Sequence, residues 1–304
     1  MGHRSHQWAN AYDFSEDALW LRLRITHDQY LRTHGPTQRS PYTKLRSWTI
    51  YRNRDVICHM IHLGFAKDAS GQCLHDFASL LVQRGTCPNL DEALYVLWAN
   101  FLLWAKSTGH VVNVKVFTTS TISWSSQSDY ASVEETMKAK ASELLLRFCC
   151  VYAIDLFERG VDTSEYSKLR AALAHMLLGF FHIIDNGAIL LSCQEAVTAC
   201  SFGMHYLRIY QCLANMAYVN LECKWKLRPK THAFAHLCVE LPSTLENPAR
   251  QNLLWAEDAI GKAKHIAIHC HRTLAPLRVL ERRFMHLSLH WRKHQTEWNA
   301  IMDG

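Results

Sequence analysis

No proline occurs between Asn89 and Arg228; the seven in the chain stand at positions 36, 41, 88, 229, 242, 248 and 276. Proline breaks helices by removing an amide donor and crowding the preceding turn, so this span holds nothing that must interrupt a long helical body. Long apolar runs are missing as well. The longest uncharged one, Ala171 to Ile184, is closed by Arg170 and Asp185, short of the ~20 residues a membrane-spanning helix needs. No membrane association is expected.

The eleven cysteines include no Cys-x-x-Cys pair, and most lie in apolar stretches with helical character. That usage excludes a zinc ribbon and a disulfide framework and fits small buried hydrophobes in a reducing compartment. The start, Met1-Gly2-His3-Arg4-Ser5-His6, has neither the apolar core of a signal peptide nor a hydroxyl at position 6 for myristoylation. An intracellular location, cytoplasmic or nuclear, is the expectation. Also absent are Gly-x-Ser-x-Gly, the phosphate-cradling Gly-x-x-x-x-Gly-Lys, a dinucleotide fingerprint and His-Glu-x-x-His. Small-molecule catalysis and a small-molecule cofactor therefore have no positive support.

What is present is a chain of 304 residues, 49% hydrophobic and 20% charged, enough to bury a large core. Start signals for helices recur. Asn89-Leu-Asp-Glu92, Ser132-Val-Glu-Glu135 and Ser192-Cys-Gln-Glu195 each put a capping side chain three residues before a Glu. Gly109, Gly160 and Gly187 follow apolar runs, where a left-handed residue would end a helix. Ala93, Leu94, Leu97, Trp98, Phe101, Leu102 and Ala105 trace one helical face.

The spacing predicts helices near 15–33, 44–64, 72–84, 90–107, 131–159, 164–185, 192–221, 230–239, 252–270 and 276–294. His110 to Trp124 reads as a long connection with a strand-like piece. The fold class is thus all-α, a multi-helix bundle of about nine to ten helices with little or no β-sheet. A loosely attached N-terminal helix at 1–40 would precede a single helical domain at 41–304.

Net charge is +6, with nineteen histidines in addition. From Arg250 to Lys293 nine bases face three acids, Glu257, Asp258 and Glu281, an excess equal to that of the whole chain. Basic helices that interleave Arg and Lys with Trp255, His290 and Trp291 can neutralise phosphates and offer stacking faces. The candidate nucleic-acid or partner contacts are Arg228, Lys230, Lys262, Lys264, Arg272, Arg278, Arg282 and Arg283.

Other constellations are weaker. His232 and His236 stand one helical turn apart, and Glu257 would be a third ligand for a divalent metal; chance pairs are common among so many histidines. Cys150-Val-Tyr-Ala-Ile-Asp155 and Phe181-His-Ile-Ile-Asp185 each end an apolar run in acid. With Glu257, Asp155 and Asp185 would make a two-metal nuclease centre if the runs were strands. Both continue a helical pattern, which favours ordinary helix ends. As a third reading, Trp225 to His236 is a buried corner of an interaction protein, with Arg228 and Lys230 paired to Glu257 and Asp258.

One segment carries a resemblance. Trp225-Lys-Leu-Arg-Pro-Lys-Thr-His-Ala-Phe-Ala-His-Leu-Cys, then Glu246-Asn-Pro, then Trp255-Ala-Glu-Asp-Ala-Ile-Gly and Ile268-His-Cys-His-Arg-Thr-Leu-Ala resemble an uncharacterised helical family multiplied in dinoflagellate algae. The likeness extends upstream through Phe117-Thr-Thr, Tyr130 to Lys140 and Asp185-Asn-Gly187 to Ser192, about residues 75–290. Ala256 departs from it, where that family tends to carry a second acid. More distantly, the order Arg-Pro-Lys-x-His-x-x-x-His, a loop and a helix opening near Glu257 is similar to the C-terminal end of RNase H-like transposases. That likeness implies a mobile-element origin and gives Glu257 the place of the last metal-binding carboxylate. Such an enzyme needs two aspartates on a preceding mixed sheet, and this sequence offers no convincing sheet.

Overall fold

The computed structural model describes residues 12–22, 27–37, 58–133 and 137–250, with scattered positions between 264 and 288. Nine helices lie among them: α1 (Leu19–Arg22), α2 (His27–Thr33), a π-helical α3 (Cys58–Phe65), α4 (Ala66–Gln83), α5 (Leu90–Ser107), α6 (Ala139–Glu158), α7 (Glu165–Asn186), α8 (Cys193–Val219) and α9 (Pro229–Thr244). No strand occurs among the described residues; there is one isolated bridge, Leu190 to Glu246. The all-α bundle is therefore the fold. The chain divides into two compact units, Met1–Gln251 and Asn252–Gly304.

Short turns make α6, α7 and α8 successive neighbours, as expected where few residues join two helices. α9 returns against α8, while α4 packs on α3, α5 and α6. Phe65, Phe180, Tyr206 and Phe234 meet at the centre with ring centroids 5.0 to 5.3 Å apart for Phe65 with Tyr206, Phe65 with Phe234 and Phe180 with Phe234. Each such side chain, taken fully from water, contributes about 1.5–3 kcal/mol.

Phe14, Ala18 and Trp20 are buried in this core. Arg208 Nε on α8 donates to Phe14 O at 3.0 Å, and Trp20 Nε1 donates to Asp13 O at 2.6 Å. Residues 13–20 are thus fastened to the core, with α8 gripping the chain at Phe14.

Several expected helix ends are found in place. Asn89 Oδ1 accepts from Glu92 N at 2.9 Å, and Ser192 with Glu195 forms a reciprocal capping box. Gly109 and Gly160 adopt φ of +76° and +66°. Two expectations fail. Gly187 has φ −70°, and the carbonyls it was to close are taken instead by Asn247, whose Nδ2 donates to Ile184 O, Gly187 O and Ala188 O at 2.8, 3.2 and 2.9 Å.

Ser132 caps no helix either, since α6 begins at Ala139. Its amide donates to Ile122 O at 2.8 Å, and its backbone lies where a Cβ on Gly71 of α4 would stand. The helix expected at 72–84 starts earlier, at Ala66, because it continues α3 across a kink at Gly64 (φ −112°, ψ −118°). The helices expected at 252–270 and 276–294 lie largely outside the described residues.

Candidate functional site: a basic corner over helix α4

α4 is buried along most of its length and still carries charge. Asp68, Gln72 and Asp76 recur every fourth residue, so they share one face, and all three are buried. Buried charges need partners. The chain after α8 supplies them: Lys224 Nζ lies 3.5 Å from Asp76 Oδ1, and Arg228 Nε lies 2.8 Å from Asp68 Oδ2. Eight residues of helix rise by roughly 12 Å, and four extended residues span roughly the same length, so the segment 224–228 runs along α4 in antiparallel register.

Trp225 anchors that segment. It adopts φ +57° and is buried, with Nε1 donating to Tyr166 Oη at 2.8 Å. Tyr166 in turn donates to Asp76 Oδ2 at 2.7 Å, and Gln72 Nε2 donates to Asp76 Oδ1 at 3.0 Å. Arg170 of α7 completes the cluster, 3.5 Å from Asp76 Oδ2 with its guanidinium over the Phe77 ring at 4.4 Å. The hydrogen bonds and cations around Asp76 outweigh the cost of burying it, so its carboxyl titrates below the usual range; burial, with Asp76 alongside, drives the Tyr166 phenol far up. Tyr210 Oη, also buried, donates to Lys226 O at 3.1 Å. Pro229 then opens α9 at a position where a missing N–H costs nothing.

Beside Arg228 the fold leaves a polar cleft of about 470 Å³, lined by Gly64, Lys67 and Asp68 at the α3–α4 kink, by Ser123, by the 128–133 loop, and by Lys226 and Arg228. Arg228 Nη2 donates to Asp68 Oδ1 at 2.9 Å, beside the Nε contact. Lys226 Nζ stands 5.3 Å from the centre of the Tyr130 ring. Asp129 is turned into its own loop: Oδ2 accepts from the Ser125 hydroxyl and from the amides of Ser125 and Ser126, both amides at 3.0 Å, and those bonds, the hydroxyl's first, lower its pKa. For Asp68, burial is the largest influence and raises the pKa; the Ser132 hydroxyl and the charges of Arg228, Lys226 and Lys230 offset it only in part. Cations Lys67, Lys226 and Arg228 outnumber the carboxylates that line the cleft.

No protein family, curated protein or solved structure matches the chain.

Of the residues singled out in the sequence, Arg228 lines this cleft and Lys230 is exposed in the first turn of α9. Arg228 takes Asp68, 160 positions earlier, where the sequence pointed to Glu257 and Asp258. Lys264, Arg278 and Arg282 are exposed in the second unit, where Arg278 Nη1 contacts Glu281 at 2.7 Å. Glu257, Lys262, Arg272 and Arg283 lie outside the described residues.

Of the nuclease reading's carboxylates, Asp155 and Asp185 are described, and they stand toward opposite ends of α6. Asp155 lies near the end of α6 and pairs with Arg159 at 3.0 Å. Asp185, near the end of α7, shares an electrostatic environment with Glu143, Lys140 and Arg147 at the opposite end of α6. From Glu143 to Asp155 the helix rises by roughly 18 Å, whereas two-metal chemistry needs ions about 4 Å apart. Both runs are helical, as the periodicity indicated.

His232 and His236 do meet, Nε2 to Nε2 at 3.0 Å, with Trp20 against both rings at 5.1 and 4.7 Å. No group of three or more His, Cys, Asp or Glu able to hold a metal occurs among the described residues. Lys67, Asp68, Tyr130 and Lys226 were not singled out as site residues. The four-residue recurrence of Asp68, Gln72 and Asp76 was the available signal.

Proposed function

We propose that this protein binds single-stranded nucleic acid, with the cleft beside Arg228 as the contact in the first unit and the basic residues of 250–293 as a second source of positive charge. The observation that carries the reading is Lys226 held over Tyr130 at the edge of a serine-lined cleft that also holds Lys67 and Arg228. A cation, an aromatic ring and hydroxyls side by side are what a sequence-tolerant strand contact uses: charge for the phosphates, a π-face for bases. The separation of Asp155 from Asp185 supports binding over cleavage. A mobile-element ancestry rests on the order of motifs between Trp225 and Gly261.

Fluorescence anisotropy with a labelled single strand tests this. Affinity should fall steeply as salt rises, and Lys226→Glu with Tyr130→Ala should weaken binding at every salt concentration. Binding undetectable at low salt, or indifferent to salt, would remove the nucleic-acid reading.

A further inference from the structure

The cleft is walled by four separate chain segments, and its innermost charged residues, Lys67 and Asp68, are buried. Its volume, about 470 Å³, is that of a small-molecule site. A continuous strand crossing the surface would present its phosphates to such a cleft only from outside. A strand end can enter it.

The chemistry inside favours one kind of end. Arg228 is held by Asp68 through Nε and Nη2, a grip that leaves Nη1 outside the pair on a side chain still 37% exposed. A guanidinium oriented in advance loses little freedom when it binds, and its planar fork matches phosphate oxygens. Lys226 stands on the same lining, with Lys230 close enough to act on Asp68. An internal phosphodiester brings one negative charge, whereas a terminal phosphate monoester brings about −1.5 to −2 at neutral pH and three strong acceptor oxygens.

Resting on the single-strand reading, we propose that the cleft receives the phosphorylated end of a nucleic-acid strand, the terminal monoester lying between Arg228 Nη1 and Lys226. Asp68 is then a positioning residue that aims the guanidinium, and Tyr130 is the aromatic surface beside the terminal nucleotide.

The test uses the full chain and single strands of one sequence carrying a 5′-phosphate, a 3′-phosphate or hydroxyls at both ends. One phosphorylated strand should bind roughly ten-fold more tightly than the hydroxyl-ended strand, the worth of one charge-assisted contact. Lys226→Gln, at an exposed position that leaves the Asp68 pair intact, should abolish that preference while circular dichroism and thermal unfolding stay unchanged. Equal affinity for all three strands would overturn the terminal-phosphate site and leave single-strand binding standing. A preference that survives Lys226→Gln would overturn the placement of the phosphate. Absence of binding to every strand would overturn both.

Discussion

Arg228 and Asp68 form a two-point ion pair that ties the entry to α9 to the first turn of α4, with contacts of 2.8 and 2.9 Å. The Asp68 side chain is almost fully buried and the Arg228 side chain is about one-third exposed. Removing the arginine strands a buried carboxylate, whereas removing both charges strands neither. We expect Arg228→Met to cost about 1–3 kcal/mol, discounted for the exposure of the arginine, and Asp68→Leu with Arg228→Met to cost less than the sum of the single changes. Urea unfolding of the four proteins in a double-mutant cycle gives the coupling directly; an additive result would show that the pair contributes nothing.

His62 gives the fold a dependence on acid. Its ring is buried, stacked on Phe181 at 4.6 Å with planes 7° apart, and burial lowers its pKa to about 4; Glu143 raises it and Lys140 lowers it by smaller amounts. The unfolded chain takes up a proton near pH 6.5 and the folded chain only near pH 4. Between those values the unfolded state binds more protons, so stability is full above about 6.5 and falls as pH drops toward 4. The loss from this one group approaches about 3 kcal/mol. His62→Phe should flatten that part of the stability curve, measured as thermal midpoint against pH.

Gly71 has no room for a methyl group. A Cβ there would lie 2.6 Å from Ser132 Cα and 2.8 Å from Ser132 N, backbone atoms of the loop that lines the cleft. Gly71→Ala gains helix propensity of about 1 kcal/mol and forces the loop away. We expect a net loss of about 1–2 kcal/mol, together with weaker strand binding, because the displaced loop carries Tyr130. A stabilised variant with unchanged binding would contradict the packing.

Asn247 closes α7 from a distance. Its Nδ2 reaches three carbonyls, and its Oδ1 accepts from Ala249 N at 2.9 Å. Asn247→Ala takes the donor from the buried Ile184 carbonyl, while Gly187 O keeps Arg250 Nη2 at 3.0 Å, and should cost about 1–3 kcal/mol. Asn247→Asp should be at least as damaging, because it replaces the amide donor by an acceptor facing acceptors. Chemical denaturation of both variants ranks them.

The regular elements were legible because local chemistry decided them. Asn89 and Ser192 cap their helices because both partners of each cap lie within three residues, and the α5 face buries Leu94, Leu97 and Phe101 at the spacing that the sequence displays. Ser132 and Gly187 show where this stops. Each sits in a pattern that satisfies a local rule, yet a residue distant in sequence supplies the competing contact: Gly71 lies against Ser132, and Asn247 takes the carbonyls beside Gly187. The candidate site was half legible. Arg228 stood out through the Arg-Pro-Lys corner, but Asp68 falls between the helices expected at 44–64 and 72–84, and only the antiparallel run of 224–228 along α4 makes it a partner.

The contact between His232 and His236 makes two identical side chains chemically different. When both rings are neutral, a hydrogen bond between their Nε2 atoms holds one proton, so one ring donates from Nε2 while the other presents a lone pair there and carries its proton on Nδ1. The pair is therefore an adjacent set of opposite tautomers, one turn apart on α9. Nitrogen-15 spectra of the imidazoles should show one ring of each kind, and two rings of the same tautomer would contradict the contact.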